Sequence, residues 1–265
     1  MEDVLKNNIS LIRGDCLIEM KNIPDKSVDM VLSDIPYGTT ACKWDVVIPF
    51  EPMWEQLKRI TKDNGAICLF GSEPFSSHLR LSNLKMFKYD FYALKNKGLG
   101  CGFVHAKNQP IKTVETISVF SSGAIAHKGK NVKRMEYFPQ GLIRAENLIK
   151  KRGPSSSGSF RLNIERPSHA EYCQEFTNYP DTQLDFKFNE GKRSHPTQKP
   201  VALLEYLIKT YTLENETVLD FTAGSFSTGV ACVNIGRNFI GIEKDERYFN
   251  IGVNRVKQRI ENAKV

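Results

Sequence analysis

Apolar and polar residues alternate with two different periods along the N-terminal part of the chain. The apolar run at residues 28–33 predicts a buried strand that ends at Asp34. Residues 50–62 place apolar side chains at helical spacing, and Asn64-Gly65 is typical of a helix C-terminal cap. The short apolar run at residues 66–70 then predicts a second buried strand.

The C-terminal part repeats this alternation of strand and helix. The pattern predicts a helix over 200–212, a strand over 217–221, a helix near 228–235 and a strand over 239–242. A glycine-bearing turn separates the first of these strands from the second helix. A strand, a helix and a strand in this order predict parallel strands and a right-handed crossover, hence an α/β protein.

Composition narrows the class of protein. With 40% hydrophobic and 25% charged residues, the 265-residue chain is typical of a globular protein and not of a disordered or fibrous one. The six cysteines are scattered without a C-x-x-C pair, which argues against a disulfide framework or a zinc finger and favours a reducing, cytoplasmic location. The N-terminus lacks an apolar signal core, and we expect no membrane-spanning segment.

The positive charge is concentrated in one region. Residues 121–200 contain 14 Lys and Arg against 8 Asp and Glu, a balance of +6, whereas the whole chain carries +7. The same region contains the Gly/Ser-rich run 153–159 and little clean periodicity. These features fit either a solvated, loop-rich insertion or a lobe that faces nucleic acid.

A small-residue turn follows the predicted strand that ends near Asp220. Gly224 lies in this turn, and Glu243 ends the next predicted strand 19 residues later. This is the spacing at which a carboxylate binds the ribose of a nucleoside cofactor, although a tight structural turn would also need the glycine. Phe226 stands where a second glycine would fall, which disfavours a dinucleotide.

Two further motifs are candidates for chemistry. Asp34-Ile35-Pro36-Tyr37 follows the first predicted strand, where a carboxylate can accept hydrogen bonds from an exocyclic base amine and an aromatic ring can stack on the base. A Pro-Tyr-Gly turn is the structural alternative. His195-Pro196-Thr197-Gln198-Lys199-Pro200 precedes the helix over 200–212 and taken alone is a loop and a helix start.

The order of these three motifs resembles the β-class amino-methyltransferases of DNA. These are permuted N6-adenine and N4-cytosine enzymes in which the catalytic half precedes the S-adenosylmethionine half. The resemblance covers nearly the whole chain. It implies a three-layer α/β/α sandwich with a mostly parallel sheet, the Rossmann-like methyltransferase fold. It also implies a catalytic half at 1–120, a target-recognition insertion at 121–194 and a cofactor-binding half at 195–265.

The resemblance also implies roles for particular residues. Asp34 would orient the target amine, Pro36 would shape the pocket, and Tyr37 would stack on an extruded base. The cofactor that the resemblance implies is S-adenosylmethionine, and it implies no metal. The cofactor residues would be Asp15 near the adenine, Glu243 at the ribose, Thr222, Gly224, Ser225 and Thr228 on the methionine side, His195 and Lys199 at the carboxylate, and Asp220 as a brace of the turn.

The implied partner is double-stranded DNA, with a flipped base and with the protein as a possible homodimer. Asp34 favours adenine N6, since relatives with Ser at that position tend to methylate cytosine N4. N4-cytosine methylation remains an alternative. A catalytically weak DNA-binding relative is another, because of Phe226. The predicted phosphate contacts are the basic residues of the stretch 126–152, namely Lys128, Lys130, Lys133, Arg134, Arg144, Lys150, Lys151 and Arg152.

Overall fold

Seventeen short segments of secondary structure follow one another along the part of the chain that the structure describes. The structure is a computed structural model, and it describes residues 8–39, 45–95, 106–125, 133–151, 172–186 and 198–263. The strands are β1 (Ile9–Arg13), β2 (Val28–Ser33), β3 (Thr61–Gly71), β4 (Phe87–Leu94), β5 (Val114–Phe120), β6 (Ile143–Lys151), β7 (Tyr172–Thr177), β8 (Gln183–Asp185), β9 (Thr217–Asp220) and β10 (Asn238–Glu243). The helices are α1 (Cys16–Glu19), α2 (Phe50–Ile60), α3 (Phe75–Ser82), α4 (Val201–Tyr211), α5 (Ser227–Asn234) and α6 (Glu246–Asn262), with one 3₁₀ turn at Met20–Asn22.

Eight of the described strands form one sheet in the order β1-β10-β9-β2-β3-β5-β4-β8. The first five strands in this order, β1, β10, β9, β2 and β3, run parallel to one another. Strand β5 runs antiparallel to both β3 and β4. The strands β2 and β9, which come from opposite ends of the chain, are neighbours with Val31 opposite Leu219. Because parallel strands end at the same edge, the segments after β2 and β9 emerge side by side.

The core lies on both faces of this sheet, as β2 shows most directly. Its Met30 and Leu32 pack with α4, α5 and α6, whereas Val31 between them packs with α2 and α3. Side chains of a strand alternate between the two faces, and a strand covered on both sides is mostly apolar. The result is a three-layer α/β/α sandwich, as predicted.

The junction between α2 and β3 differs from the sequence-based expectation. The helix ends at Ile60, and Thr61 is already extended, so Asn64-Gly65 does not cap the helix. Residues 62–65 instead form an irregularity within β3, since Val28 pairs with Thr61 but Met30 pairs with Ala66. Gly65 is required there because a Cβ atom would lie 2.5 Å from the carbonyl oxygen of Asp29. The Asn64-Gly65 pair therefore marks a place where the backbones of β2 and β3 lie very close together, not the end of α2.

The chain separates into two compact units. The larger comprises Met1–Phe138 and Thr182–Val265, and the smaller, Pro139–Asp181, contains the antiparallel pair β6 and β7. The predicted insertion at 121–194 extends beyond the smaller unit on both sides, and its boundaries stay a prediction. No helix in the described residues is long and apolar enough to cross a membrane. Nor do those residues contain a group of three or more His, Cys, Asp or Glu side chains arranged to hold a metal ion.

Candidate active site

The ends of β2, β9 and β10 open into one cavity of about 1130 Å³. Its lining includes the predicted residues after β2 and after β9, together with Asp15, Lys199 and Glu243. Pockets for a single small ligand usually enclose about 300 to 1,000 Å³. The cavity therefore has room for a nucleoside cofactor and for part of a second substrate.

A buried hydrogen-bond network joins the ends of β2 and β9. Asp220 is buried and accepts hydrogen bonds from Ser33 Oγ and Thr228 Oγ1, both at 2.6 Å. Thr222 Oγ1 lies 2.7 Å from Ser33 Oγ and donates to the main-chain carbonyl of Asp34 at 3.2 Å. Burial raises the pKa of Asp220 to about 6, although the hydroxyl donors act to lower it. Asp220 therefore braces the turn after β9 against the end of β2.

Glu243, at the end of β10, holds the glycine turn in place. Its Oε2 accepts the backbone N–H of Gly224 and its Oε1 accepts that of Asp245, both at 2.7 Å. Gly224 has a φ of +53°, a left-handed conformation that favours glycine. Burial raises the pKa of Glu243, and the backbone donors partly offset this. A carboxylate has about four acceptor positions, so Glu243 keeps acceptor capacity for ribose hydroxyls.

Phe226 does not enter the cavity. Its backbone is left-handed just before α5, and its side chain is fully buried. The ring makes edge contacts with Phe239 and Phe249, with centroid separations of 6.2 and 5.8 Å. The residue that replaces a glycine in the turn thus contributes to the core behind it.

Two other predicted cofactor residues are fixed by their neighbours. Asp15 Oδ1 caps α1 by accepting from Leu17 N at 3.0 Å, and Asp15 Oδ2 pairs with the exposed Lys244 at 3.0 Å. Ser225 is buried and accepts from Arg255 through its carbonyl and its hydroxyl, at 2.5 and 2.8 Å. Both residues line the cavity. The contact with α1 fixes the position of Asp15, and the contact with α6 fixes the position of Ser225.

Asp34 follows β2 and is the central acidic group on this side of the cavity. Tyr37 Oη donates to Asp34 Oδ1 at 2.7 Å, and Lys199 Nζ donates to Asp34 Oδ2. Burial and the neighbouring carboxylates raise the pKa of Tyr37 well above its usual value, so the phenol is neutral. The Tyr37 ring packs on Phe75 with the centroids 5.1 Å apart.

Backbone donors also hold the segment after Tyr37. The carboxylate of Asp45 accepts the N–H groups of Gly38 and Thr39 at 2.8 and 2.9 Å. Gly38 has a φ of +68°, which the turn requires. Ile35 is buried and Pro36 lines the cavity. These contacts fix the backbone on which Asp34 and Tyr37 are presented.

Glu115 and Lys95 are among the charged residues of the cavity that sequence reasoning missed. Lys199 Nζ lies 3.5 Å from Glu115 Oε2, and Lys95 Nζ lies 2.6 Å from Glu115 Oε1. Burial acts to lower the pKa of Lys199, but Asp34 and Glu115 outweigh it and the pKa is raised. Burial acts to raise the pKa of Glu115, but Lys199 and Lys95 lower it. Lys199 and Glu115 are therefore both charged at neutral pH. No local motif marks Glu115 or Lys95, because the antiparallel pairing of β5 brings them here.

The predicted phosphate contacts are described only in part. Lys133, Arg134 and Arg144 are exposed, and Lys133 pairs with Asp63 at 3.1 Å. Lys150 and Lys151 lie on β6. His195 and the basic residues Lys128, Lys130 and Arg152 lie outside the described residues.

Comparison with known proteins agrees with the site. The sequence profile of the N6_N4_Mtase family, described as DNA methylase, matches residues 28–254. The chain is 29% identical to the DNA adenine methyltransferase YhdJ of Escherichia coli over 264 residues, which cover 93% of this chain and 82% of the relative. It is 25% identical to the type II methyltransferase M.HinfI of Haemophilus influenzae over 284 residues, which cover 96% and 71%.

Solved structures share the fold. The M1.HpyAVI complex with S-adenosylmethionine aligns with a TM-score of 0.57 and 22% identity, and the alignment covers 93% of this chain and 99% of that one. The cytosine-N4-specific PvuII DNA methyltransferase aligns with a TM-score of 0.64 and 14% identity, covering 96% and 90%. Since the profile extends from β2 into α6 and the motifs stand in the order of the β-class enzymes, this chain belongs to the N6/N4 family of S-adenosylmethionine-dependent DNA methyltransferases.

Proposed function

We propose that the protein methylates the exocyclic N6 amine of an adenine that is flipped out of double-stranded DNA at a specific site. The observation that carries this proposal is the carboxylate of Asp34, held at the cavity by Tyr37 beside the turn that Glu243 closes. Relatives with Ser at the position of Asp34 tend to act on cytosine. The similarity to a relative named as an adenine methyltransferase gives further support.

Cytosine N4 is the second candidate for the target. The PvuII enzyme, which is named as cytosine-N4-specific, has the same fold with a TM-score of 0.64. The other alternative, a catalytically weak DNA-binding relative, depended on the ring of Phe226. Because that ring is buried among Phe239 and Phe249, it leaves the turn open and gives no reason to expect weak catalysis.

The cofactor side of the cavity fits S-adenosylmethionine. Glu243 would bind the ribose through its remaining acceptor positions, and Asp15 would lie near the adenine. Thr222, Gly224, Ser225 and Thr228 would line the methionine side. When bound, the cofactor supplies an electrophilic methyl group on a sulfonium. His195 and Lys199 would approach the cofactor carboxylate, as the family resemblance implies.

The base side of the cavity supplies positioning rather than a covalent nucleophile. The lone pair of an exocyclic amine is delocalised into the base, which makes the amine a poor nucleophile. Asp34 would accept a hydrogen bond from that amine and favour a pyramidal nitrogen with a freer lone pair. Pro36 would shape the pocket, and the ring of Tyr37 would stack on the base. Rate enhancement then comes from the alignment of the amine with the methyl group.

Labelled methyl transfer tests this proposal. The protein is incubated with S-adenosylmethionine carrying a tritiated methyl group and with genomic DNA that lacks amine methylation. The DNA is then digested to nucleosides and examined by mass spectrometry. We expect label in N6-methyladenine. Label in N4-methylcytosine would select the second candidate, and DNA of varied sequence that gains no label would refute both.

A further inference from the structure

The ammonium of Lys199 lies between two carboxylates in the cavity wall. It donates to Asp34 Oδ2 and lies 3.5 Å from Glu115 Oε2. The side chain is only 8% exposed, and Nζ lies 5.0 Å from the centroid of the Phe70 ring. A buried ammonium needs an anionic or hydrogen-bonding partner at every stage, because water cannot replace the contact.

Both oxygens of Asp34 are occupied in this arrangement. Tyr37 donates to Oδ1 and Lys199 donates to Oδ2. If Asp34 accepts the amine of the target base, as the proposed function requires, the amine competes with these two donors for the acceptor positions and the charge of the carboxylate. Tyr37 is anchored by its packing on Phe75 and carries no charge that would require a new partner. Lys199 is the donor that has a second acceptor within reach, because its Nζ lies 3.5 Å from Glu115 Oε2.

Glu115 offers the acceptor that Lys199 would need. Its Oε1 is paired with Lys95 at 2.6 Å, but its Oε2 is buried and accepts no hydrogen bond from the described residues. Such an unsatisfied buried oxygen is uncommon and calls for an explanation. A shift of the ammonium by less than its present 3.5 Å separation from Oε2 would satisfy it.

We infer that Glu115 is a positioning residue that receives the Lys199 ammonium when the target amine takes its place on Asp34. This inference rests on the proposed function. The cluster of Lys95, Glu115, Lys199 and Asp34 has two positive and two negative charges before and after the exchange. Lys199 consequently keeps an anionic partner throughout, and the amine gains the acceptor position on Asp34 Oδ2 that the ammonium leaves.

The Glu115→Gln variant tests this exchange. The amide removes the negative charge that would receive the ammonium, so Lys199 stays on Asp34. We expect kcat to fall by about 10- to 100-fold, the range for the loss of a hydrogen bond to a charged group. Cofactor affinity, measured by calorimetry, should change much less than kcat, because Glu115 contacts Lys199 and Lys95 and reaches the predicted cofactor residues only through Lys199.

A binding experiment separates the exchange from a general structural effect. DNA carrying purine, which lacks the exocyclic amine, replaces DNA carrying adenine at the modified position. We expect wild type to bind the adenine DNA more tightly and Glu115→Gln to lose this preference. Asp90→Asn is the matched control, because Asp90 is a half-buried, ion-paired carboxylate on the adjacent strand and lies outside the cavity lining. It should keep the preference whatever it does to stability.

Two further variants decide whether Glu115 acts through Lys199. Glu115→Asp keeps the charge and should recover part of the lost kcat. In a Lys199→Gln background, Glu115→Gln should cause little additional loss. An undiminished loss in that background, or a Glu115→Gln variant that keeps both kcat and the adenine preference, would overturn the inference. A wild-type protein that transfers no methyl group would instead refute the proposed function.

Discussion

Phe226 and Gly252 pack in direct contact, and the glycine makes room for the ring. A Cβ atom at Gly252 would overlap Cδ2 of Phe226 and lie 2.9 Å from its Cε2. Gly252 lies inside α6, whereas Phe226 precedes α5. The bulky Phe226, in the turn after β9, is therefore matched by the small Gly252, which lies 26 residues later in the chain. The ring stays out of the cavity.

Gly252→Ala should destabilise the protein although alanine favours helices. In an open helix interior this change would stabilise by about 1 kcal/mol. Here the added methyl group overlaps the Phe226 ring, and overpacking of this kind costs about 1–3 kcal/mol. We expect a lower urea midpoint. The double variant Gly252→Ala/Phe226→Leu should regain part of the loss, and a Gly252→Ala protein more stable than wild type would contradict the contact.

Asp34→Asn should abolish most methyl transfer and leave cofactor binding intact. The amide keeps the shape of the side chain but removes the charge that polarises the target amine. Loss of one such stabilising group typically costs about 100- to 1,000-fold in kcat. The measurement is labelled methyl transfer under saturating cofactor, with calorimetry for cofactor affinity. Transfer at the wild-type rate would remove Asp34 from the site.

Glu243→Gln should weaken cofactor binding much more than it weakens DNA binding. The change leaves a single acceptor oxygen for Gly224 N, Asp245 N and the ribose, and it places an amide donor against a backbone N–H. We expect the cofactor Kd to rise by about 10- to 100-fold. The control is Glu205→Gln, since the half-buried Glu205 bonds only Asn234 among the described residues. Equal losses in both variants would contradict a specific role for Glu243.

The periodic elements and the parallel side of the site were predictable from sequence. Residues 28–33 form β2 as expected, because a strand covered on both faces reads as a continuous apolar run. The turn at Gly224 and the carboxylate at Glu243 were predictable because β9, α5 and β10 are consecutive. In such a unit the spacing along the chain determines the spacing in the fold.

The contacts that depend on distant parts of the chain were not predictable. Glu115 reaches Lys199 only because β5 inserts antiparallel between β3 and β4, and no short motif encodes that pairing. The Asn64-Gly65 pair was misinterpreted for a similar reason. Gly65 is needed because the carbonyl oxygen of Asp29, on the neighbouring strand, leaves no room for a Cβ atom. Local residue propensities do not predict such a contact.

Arg144→Gln should weaken DNA binding and reduce its salt dependence. Arg144 is exposed on β6, within the basic stretch that we expect to contact phosphates. The slope of log K against log salt is negative, and each lost phosphate contact makes it shallower by about 0.9. The measurement is fluorescence anisotropy with duplex DNA between 50 and 200 mM salt, about the range over which such contacts are commonly separated. Lys257→Gln, an exposed change on α6, serves as the control, and an unchanged slope for Arg144→Gln would exclude that contact.

Asp220→Asn should remove a pH-dependent loss of stability. The pKa of Asp220 is raised by burial to about 6, so the folded protein holds this proton more tightly than the unfolded chain does. The stabilisation from the protonated Asp220 carboxyl is therefore fully present below its pKa in the unfolded chain, about 4. It is lost as the pH rises through the pKa in the folded protein, about 6. A carboxyl whose pKa is about 4 in the unfolded chain and about 6 in the folded protein contributes about 3 kcal/mol over its whole titration range.

The asparagine variant lacks this titration but keeps an acceptor and a donor for the rotatable hydroxyls of Ser33 and Thr228. The difference in unfolding free energy, variant minus wild type, should therefore rise by about 2 kcal/mol between pH 4 and 7. Urea denaturation of both proteins at several pH values measures it. The contributions of the other titrating groups are common to the two proteins and cancel in this difference. A difference in unfolding free energy that stays constant with pH would show that Asp220 ionises as readily in the folded protein as in the unfolded chain.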